Sequence, residues 1–297
     1  MRRCQLRKKL RCIENNLHKA MMIPAIILFS LFFLYPLCMG VGISLTDWNG
    51  LSDARNFVGF SNFLKFFTDK RALHAISVTL TFGLISPVLL NVFGLGLALL
   101  FQNQSKSSVL GRMMVYFPSI VSPLIMGYIW LVILAPSTGV LEPALNSLHL
   151  DFLYHGLLGD ADHVMILIIA VNVLQFVGGP MMIYIAGLNA IPDEMIEAGQ
   201  IDGANAFWSF VYIKWPMLLA SARVNIIMNI IGSLAVFDII VALTAGGPGY
   251  ATESLSIYIY RVSFNGQAGY ATASAVIMFA IIAVPVLIAL RFLKSQD

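Results

Sequence analysis

The chain has 297 residues, 59% of them apolar and only 11% charged, with a formal net charge of +3. A soluble domain carries about 25% charged residues, so this chain cannot cover itself in water, and its composition points to the bilayer. Three cysteines (Cys4, Cys12 and Cys38) make neither a disulfide framework nor a paired zinc site.

Residues 1–19 form a basic N-terminal segment with seven Lys or Arg residues: Arg2, Arg3, Arg7, Lys8, Lys9, Arg11 and Lys19. Six windows follow that are long enough for a hydrocarbon core of ~30 Å, which takes ~20 helical residues to cross. They are Ala20–Ser44, Ala75–Phe101, Met113–Ala135, Val164–Leu188, Val224–Thr244 and Tyr270–Leu290. Together they hold no Lys, Arg, His or Glu and one Asp, Asp238. Unpaired backbone groups are too costly in lipid, so each window is predicted to be an α-helix. Prolines 24, 36, 87, 118, 123, 180 and 285 fall inside five of them, as kinks that neighbouring helices can accommodate. The first window, at 25 residues, exceeds the 7–15 of a signal-peptide core and reads as an anchor that stays. The expected fold is an all-α integral membrane protein of six transmembrane helices, with residues 20–293 as one transmembrane domain.

Charge sets the expected orientation. The N-terminal segment, Lys106, Arg112, Lys214, Arg223, Arg291 and Lys294 place thirteen basic residues on one side. Arg55, Lys65, Lys70, Arg71 and Arg261 place five on the other. Both termini are therefore expected in the cytoplasm of a multi-pass protein of the bacterial cytoplasmic (inner) membrane. The basic N-terminus is expected to serve as a topology signal, with an anionic-lipid patch as the alternative, and no nucleic acid is expected as a partner.

No chemical centre is legible. No Gly is followed by Lys, which excludes a phosphate-binding P-loop, and there is no H-E-x-x-H. His155 and His163, with Asp160 and Asp162, form the one His/Asp cluster, on a connection where a solvated loop is the simpler reading. Neither a catalytic residue nor a metal site is expected. Proton-coupled carriers show several intramembrane ionisable groups, whereas the six windows hold one. The chain reads as a conduit whose energy is supplied elsewhere.

The connection 189–218 is far longer than the 2–8 residues that link packed helices. Pro192 suits a first helical turn, and Asp193, Glu194 and Glu197 fall near its positive end. Asp202-Gly203 breaks the helix, with Gly203 free to take a positive φ. A second segment, Ala204–Ile213, carries Phe207, Phe210 and Tyr212 and is expected to stop at Pro216. Such a helix–turn–helix with an acidic tip suits docking to a partner, or packing on its own bundle.

Glu197, Ala198, Gly199, Gln200, Ile201, Asp202, Gly203 and Ala204, followed by Phe210, Ile213 and Pro216, resemble the EAA loop of binding-protein-dependent ABC importer permeases. That pattern is E-A-A-x-x-D-G-A, five residues, then F-x-x-I-x-L-P. Two positions depart from it: Gly199 replaces an Ala, which weakens a helix by ~1 kcal/mol, and Trp215 replaces a Leu. Phe57–Phe63 is similar to the F-V-G-L-x-N-F segment of the sugar and glycerol-phosphate branch, with Phe60 for its Leu. Phe237-Asp238, Leu243–Pro248 and Thr252 resemble that branch's later segment. The likeness runs from about Phe57 to Leu290, and the chain looks like the subunit of this branch related to the maltose transporter's larger permease, without its extra outer domain.

The resemblance implies a heterodimer with a second permease, two ATPase subunits that bind the ATP, and an extracytoplasmic binding protein that delivers solute. It implies that Glu197, Ala198, Gly199, Asp202, Gly203, Ala204 and Pro216 form the ATPase-coupling element between helices 4 and 5. Glu197 would pair with a basic group and Gly203 would set the helix angle. This chain itself would hold no cofactor and do no covalent chemistry.

Polar residues in membrane helices face a bundle or a cavity rather than lipid. Asn225, Asn229, Gly232, Ser233 and Val236 share one helical face, as do Asn172, Gln175 and Gly179. Amide and hydroxyl groups suit sugar hydroxyls, and Phe237 offers a ring to an apolar sugar face. The expected solute path is therefore Asn172, Gln175, Asn225, Asn229, Ser233 and Phe237, for a sugar-type solute or a related polyol. Helix-to-helix bonding is the alternative use of these groups, and Asp238 lies opposite the Asn225 stripe on a continuous wheel. A self-sufficient carrier would depend on an ion gradient, and a scaffold would dispense with both the loop and the polar stripes.

Overall fold

A computed structural model describes residues 22–135, 139 and 158–292. The segment 1–19, and His149 and His155, lie outside the described residues. Secondary structure among them is helical, apart from one isolated bridge between Thr46 and Phe57. The helices are α1 (Met22–Ser44), α2 (Ser61–Thr68), α3 (Lys70–Phe101), α4 (Lys106–Ile120), α5 (Pro123–Ile133) and α6 (Val164–Phe176). They continue as α7 (Gly178–Asn189), α8 (Asp193–Ile201), α9 (Ala206–Leu234), α10 (Asp238–Leu243), α11 (Leu255–Phe264) and α12 (Ala268–Phe292). Two compact units result: residues up to Lys65 with Val262–Val276, and Phe66–Arg261 with the chain from Ile277 onward.

In the first unit, α1 is apolar throughout and leads into a loop held by side-chain caps. Asn62 Nδ2 donates to the carbonyls of Ser44 and Thr46, both at 2.8 Å. The Asp47 carboxylate accepts from the Asn56 backbone N–H at 2.8 Å and its side-chain amide at 3.0 Å. The side-chain bond comes first among the causes that hold Asp47 below its ordinary pKa. Lys65 Nζ donates to Gln267 Oε1 at 2.9 Å and sits over the Tyr270 ring.

The second unit is a bundle in which α9 and α7 cross α3 and α10 packs on α5. Small residues permit these crossings. A Cβ on Gly94 of α3 would lie 2.7 Å from Pro180 of α7, and one on Gly178 only 2.6 Å from the Tyr116 Cα of α4. Phe82, Leu90, Ile168, Ile239 and Ile240 fill one part of the core, and Met181, Tyr184, Ile185 and Leu218 another.

Among the described residues, four helices (α1, α3, α9 and α12) are long and apolar enough to cross a bilayer alone. Two predicted helices are broken instead. The third window bends by 100° between α4 and α5, and the fourth by 45° between α6 and α7. Pro123 opens α5 in its first turn, where its missing N–H removes no helical hydrogen bond. Counting each bent pair as one span gives six. The fifth window also differs: α9 begins at Ala206, runs through Pro216 and ends at Leu234. A wider π turn, Phe210–Lys214, precedes Trp215, so Pro216 does not stop the segment.

Candidate functional site

The two predicted polar stripes meet. Asn172, Phe176, Gly179, Pro180 and Ile183 from α6 and α7 face Asn225, Met228, Asn229, Gly232 and Ser233 of α9 across a cleft of about 330 Å³, with Leu90 at its wall. Asn172 is held by a 2.8 Å bond from its Nδ2 to Ser86 Oγ, and Asn225 by a 3.2 Å bond to the Pro180 carbonyl. Asn229 Nδ2 is buried and donates to nothing in the structure. A buried donor without a partner costs ~1–3 kcal/mol, and this one belongs to a residue of the cleft wall. A Cβ on Gly179 or Gly232 would meet no atom within 4 Å; both glycines keep the cleft wide.

A second cleft of about 220 Å³ shares Asn172, Phe176 and Gly232 with the first and adds Phe237 and Asp238. Because α9 ends at Leu234, Asp238 opens α10, and the continuous-wheel expectation that set it opposite the stripe does not hold. Phe237 packs edge-on against Tyr260, ring centres 5.5 Å apart. Of the predicted path residues, Asn172, Asn225, Asn229, Ser233 and Phe237 line these clefts. Gln175 does not join them: it is buried, and its Nε2 donates at 3.2 Å to the Val121 carbonyl at the α4–α5 break. Leu90, Phe176 and Met228 had no distinguishing signal in an apolar sequence.

The predicted helix–turn–helix is present. Asp193 and Glu194 occupy the first turn of α8, with Pro192 just before it. The helix closes in a Schellman motif: Gly203 N–H donates to the Gln200 carbonyl and Ala204 N–H to that of Gly199, at 3.0 and 2.9 Å. Gly203 has a φ of +84°, a region that residues with a Cβ disfavour. Asn205 then caps α9, accepting from Trp208 N–H at 3.0 Å. Glu197, Ala198, Asp202 and Pro216 are exposed, and Gly199 and Ala204 half-buried. Gly199 is explained by its neighbour, since the Ile213 side chain lies where a Cβ would go.

One charged cluster was not foreseen. Glu253, fully buried, accepts from Arg71 Nε and Nη2, both at 2.7 Å, and from Arg261 Nη1 at 2.6 Å. Arg261 also donates to the Ala245 carbonyl, and Arg71 stacks 4.1 Å from the centre of the Tyr250 ring. The triad holds the loop between α10 and α11, in which Ala245 and Tyr250 take φ of +47° and +69°. Arg71 and Glu253 are 182 positions apart, beyond any local sequence signal. In the described part of the predicted His/Asp cluster, His163 Nδ1 and Asp160 Oδ2 pair at 2.5 Å on the surface. Hydrogen bonding to each other holds Asp160 below and His163 above their ordinary values.

Residues 90–296 match the family described as the binding-protein-dependent transport system inner membrane component. The multiple sugar-binding transport system permease protein of Streptococcus mutans is 34% identical over 93% of this chain and 94% of that one. The sn-glycerol-3-phosphate transport system permease protein of Agrobacterium fabrum is 30% identical over 92% and 93%. A crystallised bacterial alginate ABC transporter, in complex with an alginate pentasaccharide-bound periplasmic protein, includes a chain that superposes with a TM-score of 0.80. That chain is 26% identical, with 96% of this chain and 97% of that one covered.

Proposed function

We propose that this chain, which belongs to the family of binding-protein-dependent transport system inner membrane components, forms half of the path for a sugar or related polyol. It is a permease subunit of the cytoplasmic (inner) membrane, not an enzyme. In this reading it crosses the bilayer six times with both termini in the cytoplasm, each bent pair serving as one span. It pairs with a second permease. Two ATPase subunits bind ATP and receive α8 in a cleft, and an extracytoplasmic binding protein delivers the solute.

The observation that carries the reading is the convergence of two amide stripes on one cleft, in a chain that also bears the Gly203-capped acidic helix. The first cleft is lined by amides, a hydroxyl and apolar side chains, with no charged group. Such a wall hydrogen-bonds hydroxyls without favouring an ion, and rings such as Phe176 and Phe237 can lie against the apolar face of a sugar. Motion follows from the coupling helix. When the ATPase subunits close, α8 moves with them, and its Schellman turn transmits the displacement to α9, which carries Asn225, Asn229 and Ser233.

The test is uptake by the reconstituted importer of radiolabelled malto-oligosaccharide, diacetylchitobiose and glycerol 3-phosphate, each with the cognate binding protein. One of the two sugars, rather than the anionic glycerol 3-phosphate, should accumulate only with ATP, and Asn229→Leu should reduce its uptake. Uptake that needs an ion gradient but no ATPase subunit would refute the reading.

A further inference from the structure

We propose that Asp238 is a charge filter on the solute path. Its carboxylate, in the wall of the second cleft, turns away anionic solutes such as uronates and sugar phosphates and passes neutral sugars. The inference rests on the proposed path and adds a selectivity that the amide lining does not supply.

The first observation is position. Asp238 is exposed and lines the cleft of about 220 Å³, which shares Asn172, Phe176 and Gly232 with the larger one. A solute held by the amides of the larger cleft is thus one shared wall away from a carboxylate. The six apolar windows hold no other Asp and no Glu, Lys, Arg or His. A charged side chain at membrane depth is kept only where it faces a cavity or a protein partner.

The second observation is the break in the helix. The chain leaves α9 at Leu234 and enters α10 at Asp238, and the intervening Ala235, Val236 and Phe237 all line the second cleft. Non-helical backbone at membrane depth is tolerated where it is buried in protein or lines a water-filled cavity. The break therefore sets Asp238 where solute and water can reach it.

The third is the absence of a compensating charge. Among the described residues the carboxylate has no hydrogen-bond or ion-pair partner, and no Lys, Arg or His lines either cleft. Residues 224–260 contain none of the three. Arg261 is engaged by Glu253, and Arg223 lies ~16 Å along α9 from Leu234 at 1.5 Å per residue. At ~10 Å and an effective dielectric constant of ~20, repulsion between two like charges changes occupancy by about tenfold. A neutral sugar meets no such penalty, and its hydroxyls can donate to the carboxylate.

The test places a thiol in the shared wall. Gly232 lines both clefts, and a Cβ there would meet no atom within 4 Å, so Gly232→Cys fits. In the assembled importer in nanodiscs, the thiol is modified with a trimethylammonium-ethyl or a sulfonatoethyl methanethiosulfonate. Mass spectrometry of this chain gives the two rates. Their ratio cancels any change in thiol reactivity and reports the sign of the local field. Relative to 2-mercaptoethanol in solution, the cleft thiol should favour the cation by about tenfold at low salt, and the preference should shrink as salt is raised. Asp238→Asn should return the ratio to that of the free thiol, and Asp238→Glu should preserve it. A free-thiol ratio with Asp238 present, or a ratio that Asp238→Asn leaves unchanged, would mean that the carboxylate does not charge the cleft, as when the second permease pairs with it. Either result overturns the proposal, and so does a thiol that neither reagent reaches. If Asp238→Asn fails to fold, the comparison with the free thiol in the Gly232→Cys chain decides the question. Labelling needs no transport, so a failure of ATP-driven sugar uptake would count against the proposed path without altering this result.

Discussion

Replacing Glu253 by Ala tests whether the buried triad organises the loop between α10 and α11. The change removes three charge-assisted hydrogen bonds of 2.6–2.7 Å and leaves two guanidiniums facing each other. Breaking a buried ion pair by removing one partner costs ~3–5 kcal/mol. Here the two Arg side chains are each 33% exposed, against 1% for Glu253, so both can recover some hydration. The expected loss is therefore about 2–3 kcal/mol, below that full range. Arg71→Ala leaves Glu253 its Arg261 partner and should cost less. The double variant should cost clearly less than the sum of the singles, because the second change removes a charge already stranded. Unfolding in mixed micelles with increasing dodecyl sulfate, followed by tryptophan fluorescence, gives the comparison. A loss below ~0.5 kcal/mol for Glu253→Ala, or strict additivity with Arg71→Ala, would refute the reasoning.

Other outcomes follow from named contacts. Asn229→Leu and Ser233→Leu should each lower solute uptake while leaving assembly intact, whereas Ile227→Ala and Ile231→Ala, away from the cleft, should be milder; equal effects at all four sites would favour simple helix packing. Gly199→Ala should be close to neutral in stability, since the ~1 kcal/mol gain in helix preference is offset by moving the Ile213 side-chain tip. Ala245→Gly should stabilise by about 1 kcal/mol, because it relieves a left-handed backbone at a residue with a Cβ. The His163 imidazole should titrate above the ordinary ~6.5 by NMR and return toward it in Asp160→Asn. The pairing is complete below the unfolded His value and above the unfolded Asp value. It is lost as pH rises through the raised His163 pKa or falls through the lowered Asp160 pKa.

The apolar spans and the Gly203 turn were legible because each has a local cause. An 18-residue apolar run identifies itself, and Asp202-Gly203 before Asn205 is helix-ending followed by helix-starting chemistry. The amide stripes were legible from spacing, and the structure brings both to one cleft. The breaks at Val121–Ser122 and Val177 were not, since hydrophobic periodicity runs straight through them and proline in a membrane helix has several outcomes. Gln175 shows the limit of a stripe: it shares a face with Asn172 on an ideal wheel, yet its amide serves the α4–α5 break. Asp238 was placed on a helix that ends four residues earlier. The Arg71–Glu253–Arg261 triad depends on contacts between distant segments and no spacing rule reaches it.

The most direct test of the proposed coupling role is ATP hydrolysis by the reconstituted complex, with and without solute-loaded binding protein, in Glu197→Lys and Gly203→Val. Glu197 is exposed and ready to meet a cation in a protein cleft; reversing its charge turns an attraction into a repulsion worth several kcal/mol once desolvated. A Cβ at Gly203 would meet no neighbour, so valine there acts through the +84° φ alone. Both variants should insert and still engage the binding protein, yet lose uptake and solute-stimulated hydrolysis. Normal stimulation and uptake in both would contradict the assignment of the 189–218 connection, with Glu197 and Gly203, as the coupling element.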